Sequence, residues 1–208
     1  MKQADAAFVM IDVQNDFCPG GALAVESGDT IVPQINRLQS RFDVNVLTQD
    51  WHPDNHSSFA DTHEKAEPFS VVQVDYGDQV LWPKHCVMGS DGAAFHPLLR
   101  TDTADLVIRK GFRPNIDSYS AFFENDKKTR TGLAGYLRER DVTAVYLSGL
   151  ATDFCVYYSA MDAAQFEFDV FLITDCCRAI DLDGSLNSAM ENMQARGVKF
   201  ITSDELLG

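Results

Sequence analysis

Short apolar runs alternate with helix-periodic segments along the chain, and reactive side chains stand at the ends of several of the runs. Ala7 to Ile11 is almost continuously apolar, as in a strand buried on both faces, and Asp12 follows it. Thr30 to Phe42 carries Ile31, Ile35, Leu38 and Phe42 at helical spacing. Val44 to Thr48 reads as a second strand ending at Gln49-Asp50, and Leu106 to Arg109 as a third ending at Lys110-Gly111. The pattern then predicts a short helix over Thr131 to Arg140, a strand over Val145 to Ser148 and a helix over Thr152 to Phe166. A strand over Val170 to Thr174, a helix over Gly184 to Ala195 and a last strand over Val198 to Thr202 follow. This alternation predicts an α/β fold: a parallel, doubly wound sheet with helices on both faces. Such sheets bind ligands beyond the carboxyl ends of their strands. Asp12, Asp50, Lys110 and Cys155 all fall at those ends.

Residues 51–104 break the rhythm. They are rich in Pro, His, Gly and Asp, and a loop region this long inside a compact domain is usually functional. With 208 residues, no internal repeat and no linker, we expect a single domain over 1–208, with this loop region at about 51–104. The 17 basic and 31 acidic side chains give a net charge of −14, which argues against nucleic acid or an anionic membrane as partner. There is no signal-like apolar core and no long apolar run, so a cytoplasmic location is expected. Five cysteines at irregular spacing, with no C-x-x-C pair, fit reduced thiols.

One of those thiols stands apart. Val145-Tyr146-Leu147-Ser148 leads through the small turn Gly149-Leu150-Ala151 to Thr152, which reads as a helix N-cap. Cys155 then lies in the first helical turn. The positive helix end would favour thiolate, and free N–H groups there would favour an oxyanion. An arbitrary cysteine is more often a small buried hydrophobe, so its company decides. A carboxylate at an apolar strand end, such as Asp12, can have its pKa raised by desolvation and accept the thiol proton. Lys110 would hold both by charge. A buried Asp–Lys ion pair beside an incidental cysteine is the competing reading.

Asp50-Trp51-His52 sets a carboxylate and an imidazole two residues apart, on one face of an extended chain. His85, in Trp82-Pro83-Lys84-His85-Cys86, supplies a third ligand, and His56 is a candidate further metal or substrate contact. One carboxylate and two imidazoles leave open positions on Zn²⁺, Fe²⁺ or Mn²⁺, as a catalytic metal requires. Asp-x-His alone is a weak signal. His63 and His96 read as surface or packing residues.

Taken in order, these segments resemble the pyrazinamidase/nicotinamidase family of the isochorismatase-like cysteine hydrolases, over nearly the whole length. Val9-Met10-Ile11-Asp12-Val13-Gln14-Asn15-Asp16-Phe17 is similar to the family's opening strand, and Pro19-Gly20-Gly21-Ala22-Leu23 to the loop after it. Thr48 to Pro53 and Trp82 to Val87 resemble its metal segments. Arg109-Lys110-Gly111 with Asp117-Ser118-Tyr119-Ser120-Ala121-Phe122 resembles its lysine segment, and Gly149 to Val156 its nucleophile segment.

The resemblance implies hydrolysis of nicotinamide to nicotinate and ammonia through a cysteine thioester, a step of NAD salvage. It implies Asp12, Lys110 and Cys155 as catalytic residues, and a cis peptide between Leu150 and Ala151. The backbone N–H groups of Ala151 and Cys155 would form the oxyanion hole. It further implies one divalent metal ion, zinc first with iron or manganese as alternatives, on Asp50, His52 and His85. Phe17, Leu23, Trp82, Tyr119 and Leu150 would make the substrate pocket. Phe154 stands where relatives often carry His or Tyr, and the span from His52 to His56 is shorter than where the matching histidine binds metal. Cys18, Cys86, Cys176 and Cys177 have no catalytic counterpart and read as packing residues.

A related amidohydrolase acting on an N-carbamoyl compound or another small amide is the alternative. The enol-ether branch lacks the cysteine and the metal set. A metal- or thiol-sensing protein would need Asp12 or Lys110 absent. Oligomeric state is open, a homo-oligomer included.

Overall fold

The computed structural model describes residues 3–208; the first two positions of the expected 1–208 domain lie outside it. Six strands form one sheet: β1 (Gln3–Ile11), β2 (Phe42–Asp50), β5 (Leu106–Lys110), β6 (Ala144–Leu150), β7 (Asp169–Arg178) and β8 (Lys199–Ile201). Their order is β5-β2-β1-β6-β7-β8, and every pairing is parallel. The expected α/β sheet is therefore present.

Alternation along β1 divides the core. Ala7, Val9 and Ile11 face one side, where they pack with α2 (Leu133–Arg138), α3 (Tyr157–Gln165) and α4 (Ser185–Ala195). Phe8 and Met10 face the other side, with α1 (Val32–Leu38) and the C-terminal α5 (Ser203–Leu207). Both faces of β1 are apolar because both are covered, which is why its sequence is a continuous run. Among the described residues no helix is long and apolar enough to cross a membrane.

Two elements differ from expectation. The helix read over Thr30 to Phe42 is a seven-residue α1 between 3₁₀ turns, and Phe42 opens β2. Its ring stacks on Phe8 of the neighbouring strand at 5.1 Å, so tertiary packing overrides the helical spacing. The loop region also holds an antiparallel hairpin, β3 (Val71–Val74) and β4 (Gly77–Val80).

The sheet has its topological switch between β1 and β6, where chain order departs in opposite directions. Crevices form at such points, outside the carboxyl ends of the strands. Asp12 leaves β1 there and the Cys155 turn leaves β6. Gly149 makes that crossing close: with φ +120°, it approaches Ile11 so tightly that a Cβ would meet the Ile11 carbonyl oxygen at 2.0 Å.

Candidate active site

Four strand ends deliver one buried cluster. Asp50 and Lys110 are register partners on β2 and β5, so their side chains meet as an ion pair. Lys110 Nζ also lies 2.7 Å from Asp12 Oδ2 and 3.5 Å from Cys155 Sγ, and donates to the Ser118 carbonyl at 3.0 Å. Asp12, in a left-handed turn (φ 49°), is fixed by Thr48, whose hydroxyl donates to Asp12 Oδ1 at 2.6 Å. Asp12, Asp50 and Cys155 bring ligand atoms within 4.8 Å of one another.

The electrostatics follow from burying three charges together. Desolvation raises Asp12 to about 6, against the pull of Lys110. Against the same burial, Lys110 and His52 hold Asp50 well below the usual carboxylate range. Asp12 and Asp50 keep Lys110 charged, well above its ordinary value. Two buried carboxyls are thus split into a proton acceptor near neutrality and a permanent anion, the pattern that separates acid–base from structural roles.

Cys155 departs from the expectation of a helix-end thiolate. Burial pushes its thiol well above the ordinary value, with Lys110 the main opposing influence. Thr152 is not the cap either: Ala151 occupies that position, no side chain caps the turn, and Thr152–Val156 is wound as a π-type turn ahead of α3. Burial thus opposes the thiolate, and forming it calls for a base at hand. The Leu150–Ala151 peptide is cis.

Asp50, His52 and His85 form a second grouping with ligand atoms within 4.8 Å. His52 Nδ1 meets the Gly111 carbonyl at 2.9 Å and His85 Nδ1 meets the Pro83 carbonyl at 2.8 Å. A carbonyl only accepts, so each Nδ1 carries a proton, and in the neutral ring Nε2 then presents its lone pair. Those Nε2 atoms lie 3.5 and 3.8 Å from Asp50 Oδ2. Two ligand atoms on a tetrahedral zinc stand roughly 3.4 Å apart, so the spacing fits such an ion. His56 is buried beside His52, ring centroids 4.4 Å apart. His52, His56 and Asp117 also bring ligand atoms within 4.8 Å of one another. Both ring nitrogens of His56 are already engaged, Nδ1 with Ser58 Oγ at 2.7 Å and Nε2 with the Ile116 carbonyl at 3.3 Å.

Gly111 shows how closely the His52 ring is seated. Its φ is +68°, and a Cβ there would meet His52 Cε1 at 2.3 Å and Nδ1 at 2.5 Å. Gly111→Ala is expected to displace the ring and weaken metal affinity about tenfold or more, while the protein still folds. Zinc titration against a chelating indicator checks this; unchanged affinity would contradict the role of His52.

Beside the two groupings lies a tight cleft, with only about 20 Å³ open to the centre of a water-sized sphere. Phe17, Leu23, Trp82 and Tyr119 line it, together with Ala151 and Cys155. Leu150 does not, although it was expected to. It is fully buried and reaches behind the wall toward Gly28, where a Cβ would lie 3.2 Å from Leu150 Cδ1. Along the chain past β6, the wall position falls to its neighbour Ala151. Sequence reasoning missed Asp117, Phe154 and Ile180 in the lining. Phe154 packs its ring on Trp82 at 4.9 Å and 88°, so the residue that replaces a polar one completes an aromatic wall. Ile180 is carried in by Asp153, which accepts from the N–H groups of Ile180 at 3.0 Å and Asp181 at 2.8 Å.

A parallel sheet that gathers a cysteine, a lysine and a buried carboxyl beyond its strand ends is an arrangement suited to nucleophilic hydrolysis, and comparison gives the family. The isochorismatase domain model matches residues 6–205, and the chain belongs to that family. It is 54% identical over 208 residues to a nicotinamidase of Acinetobacter baylyi, covering 100% of this chain and 97% of that one. The solved structure described as an Acinetobacter baumanii nicotinamidase pyrazinamidease superposes with TM-score 0.98 at 54% identity, covering 99% of this chain and 100% of that one. A pyrazinamidase of Pyrococcus horikoshii in complex with zinc gives TM-score 0.77 at 34% identity, covering 95% and 99%.

Proposed function

We propose that the protein is a metal-dependent nicotinamidase, hydrolysing nicotinamide to nicotinate and ammonia. The observation that carries the reading is the position of Lys110 Nζ, which contacts Asp12, Asp50 and Cys155 at once, beside a cleft walled by aromatic side chains. The relatives described as nicotinamidases support the substrate.

In this mechanism Asp12 accepts the Cys155 proton, and Lys110, in reach of both, stabilises the negative charge as it passes from carboxylate to sulfur. The Cys155 sulfur bonds to the carboxamide carbon, and the backbone N–H groups of Ala151 and Cys155 face the resulting oxyanion. As the carbon–nitrogen bond breaks, Asp12 returns its proton to the leaving amine, which departs as ammonia. A thioester remains. Water attacks it with Asp12 again as base, the carbon–sulfur bond breaks, and nicotinate leaves with the thiol restored. The aromatic wall of Phe17, Trp82 and Tyr119 orients the flat ring.

Asp50 Oδ2 and the Nε2 atoms of His52 and His85 would hold a divalent ion, and an N,N,O set suits zinc. When bound, the ion supplies an electron-accepting site that anchors the ring nitrogen and orders solvent. Ammonia release from nicotinamide should be robust in zinc-loaded protein, fall at least about tenfold after chelation and return on adding zinc back. No release by the zinc-loaded protein would overturn the reading.

A further inference from the structure

The β3–β4 hairpin is exposed or half-exposed along its length except at one position, Gln79, which is buried. A buried polar side chain on an otherwise solvent-facing hairpin calls for a reason more than a buried apolar one does. Its hydrogen bonds supply that reason. Tyr76, at the hairpin turn, donates from its hydroxyl to Gln79 Oε1 at 2.8 Å and accepts from the Asp117 N–H at 3.2 Å. Gln79 Nε2 donates to Asp117 Oδ2 at 2.9 Å and to the Tyr119 hydroxyl at 3.2 Å, and lies 2.6 Å from the Val80 carbonyl. The orientation of the amide is therefore fixed: a carboxylate and a carbonyl only accept, so the nitrogen must face Asp117 and Val80, and its contact with the Tyr119 hydroxyl is the longest of the three.

Tyr119 receives a second donor, Trp82 Nε1, at 3.0 Å. Its hydroxyl thus lies between two nitrogens, Trp82 Nε1 from the pocket wall and Gln79 Nε2 from the hairpin. Tyr119, Trp82 and Phe154 meet edge to face, at 6.2, 4.9 and 5.8 Å between centroids. Edge-to-face contacts set preferred ring angles but hold a ring less firmly than when its polar tip is tethered as well. Polar contacts to one hydroxyl from two separate elements constrain the ring further.

We infer that Gln79 is a positioning residue for substrate binding: through Tyr119 it locks the aromatic wall, and the hairpin that carries it serves as a specificity element of the site. Gln79 itself does not line the cleft. The inference rests on the proposed nicotinamidase reading, in which that wall holds the substrate ring. Loosening the wall weakens binding of ground state and transition state alike, so the loss appears in KM.

The experiment measures nicotinamide kinetics of zinc-loaded wild type, Gln79→Leu, Tyr119→Phe and the double variant, with zinc content and thermal midpoint for each. Gln79→Leu is expected to raise KM about tenfold with kcat within about twofold and zinc content unchanged. In the Tyr119→Phe background the same substitution should change KM less than about threefold, because the hydroxyl it positions is gone. A merely structural role would lower the thermal midpoint and active fraction while leaving KM in place. Unchanged KM in Gln79→Leu, or an equal effect with and without the Tyr119 hydroxyl, overturns the inference. Should Gln79→Leu not fold, Gln79→Met, nearer in length, is read by the same criteria. Wild type without turnover overturns the nicotinamidase reading and this inference together; wild-type turnover with an unmoved KM overturns this inference alone.

Discussion

Cys155→Ala is expected to lower kcat for nicotinamide by at least ~10³-fold while leaving zinc content and fold intact. The sulfur is the only atom in the site proposed to bond to the carboxamide carbon. Alanine removes it without adding volume, and the surrounding charges stay paired, since Lys110 keeps Asp12 and Asp50. What survives is binding in the aromatic cleft and the oxyanion donors, which account for residual catalysis in nucleophile knockouts of other hydrolases. A loss of ~10³ corresponds to about 4 kcal/mol of barrier. Turnover within tenfold of wild type would remove Cys155 from the mechanism.

Asp12→Asn is expected to cost about 10³-fold in kcat/KM, within the usual range for a general base. The amide keeps the size of the carboxyl and can still accept from Thr48, but it cannot take a proton. Cys155 depends on that acceptor because burial raises its thiol well above the ordinary value. The pH profile gives the sign. Burial lifts Asp12 to about 6, and only the deprotonated carboxylate serves as base. Wild-type kcat/KM should therefore fall about tenfold per pH unit below about pH 6. The Asn variant, having no proton to lose there, should show no such limb. An unchanged acid limb in Asp12→Asn would assign the titration to another group.

The reach of the sequence can be judged residue by residue. The strand-end positions of Asp12, Asp50, Lys110 and Cys155 were legible because buried parallel strands are continuous apolar runs, and a change of residue type marks where each ends. The meeting of Asp50 with Lys110 was not, because it depends on the register of β2 against β5. The surroundings of the thiol were only partly legible for a similar reason. A helix start can be read locally, but the burial of Cys155 and the placing of Ala151, not Thr152, at the cap depend on how β6 meets β1.

The pocket wall divides in the same way. Phe17, Leu23, Trp82 and Tyr119 came from ordered resemblance, and the structure places all four around one cleft. Leu150 failed because a neighbouring position exchanges core for cleft within one residue at the end of a strand. The hairpin had a local signal that went unused: Val71-Val72-Gln73-Val74 and Gly77 to Val80 flank a short Asp75-Tyr76 turn. Gln79 had none, since its partners Asp117 and Tyr119 are about forty residues away. Long-range polar networks of this kind leave no periodicity to read.

The central claim is a covalent bond between the nicotinoyl carbon and Cys155 Sγ during turnover. Rapid acid quench of zinc-loaded protein with nicotinamide, followed by peptide mass spectrometry, tests it directly. The account predicts a nicotinoyl adduct on the peptide containing Cys155 in wild type and none in Cys155→Ala. Steady ammonia release by wild type with the adduct on a different residue, or with an equal adduct in Cys155→Ala, would contradict it.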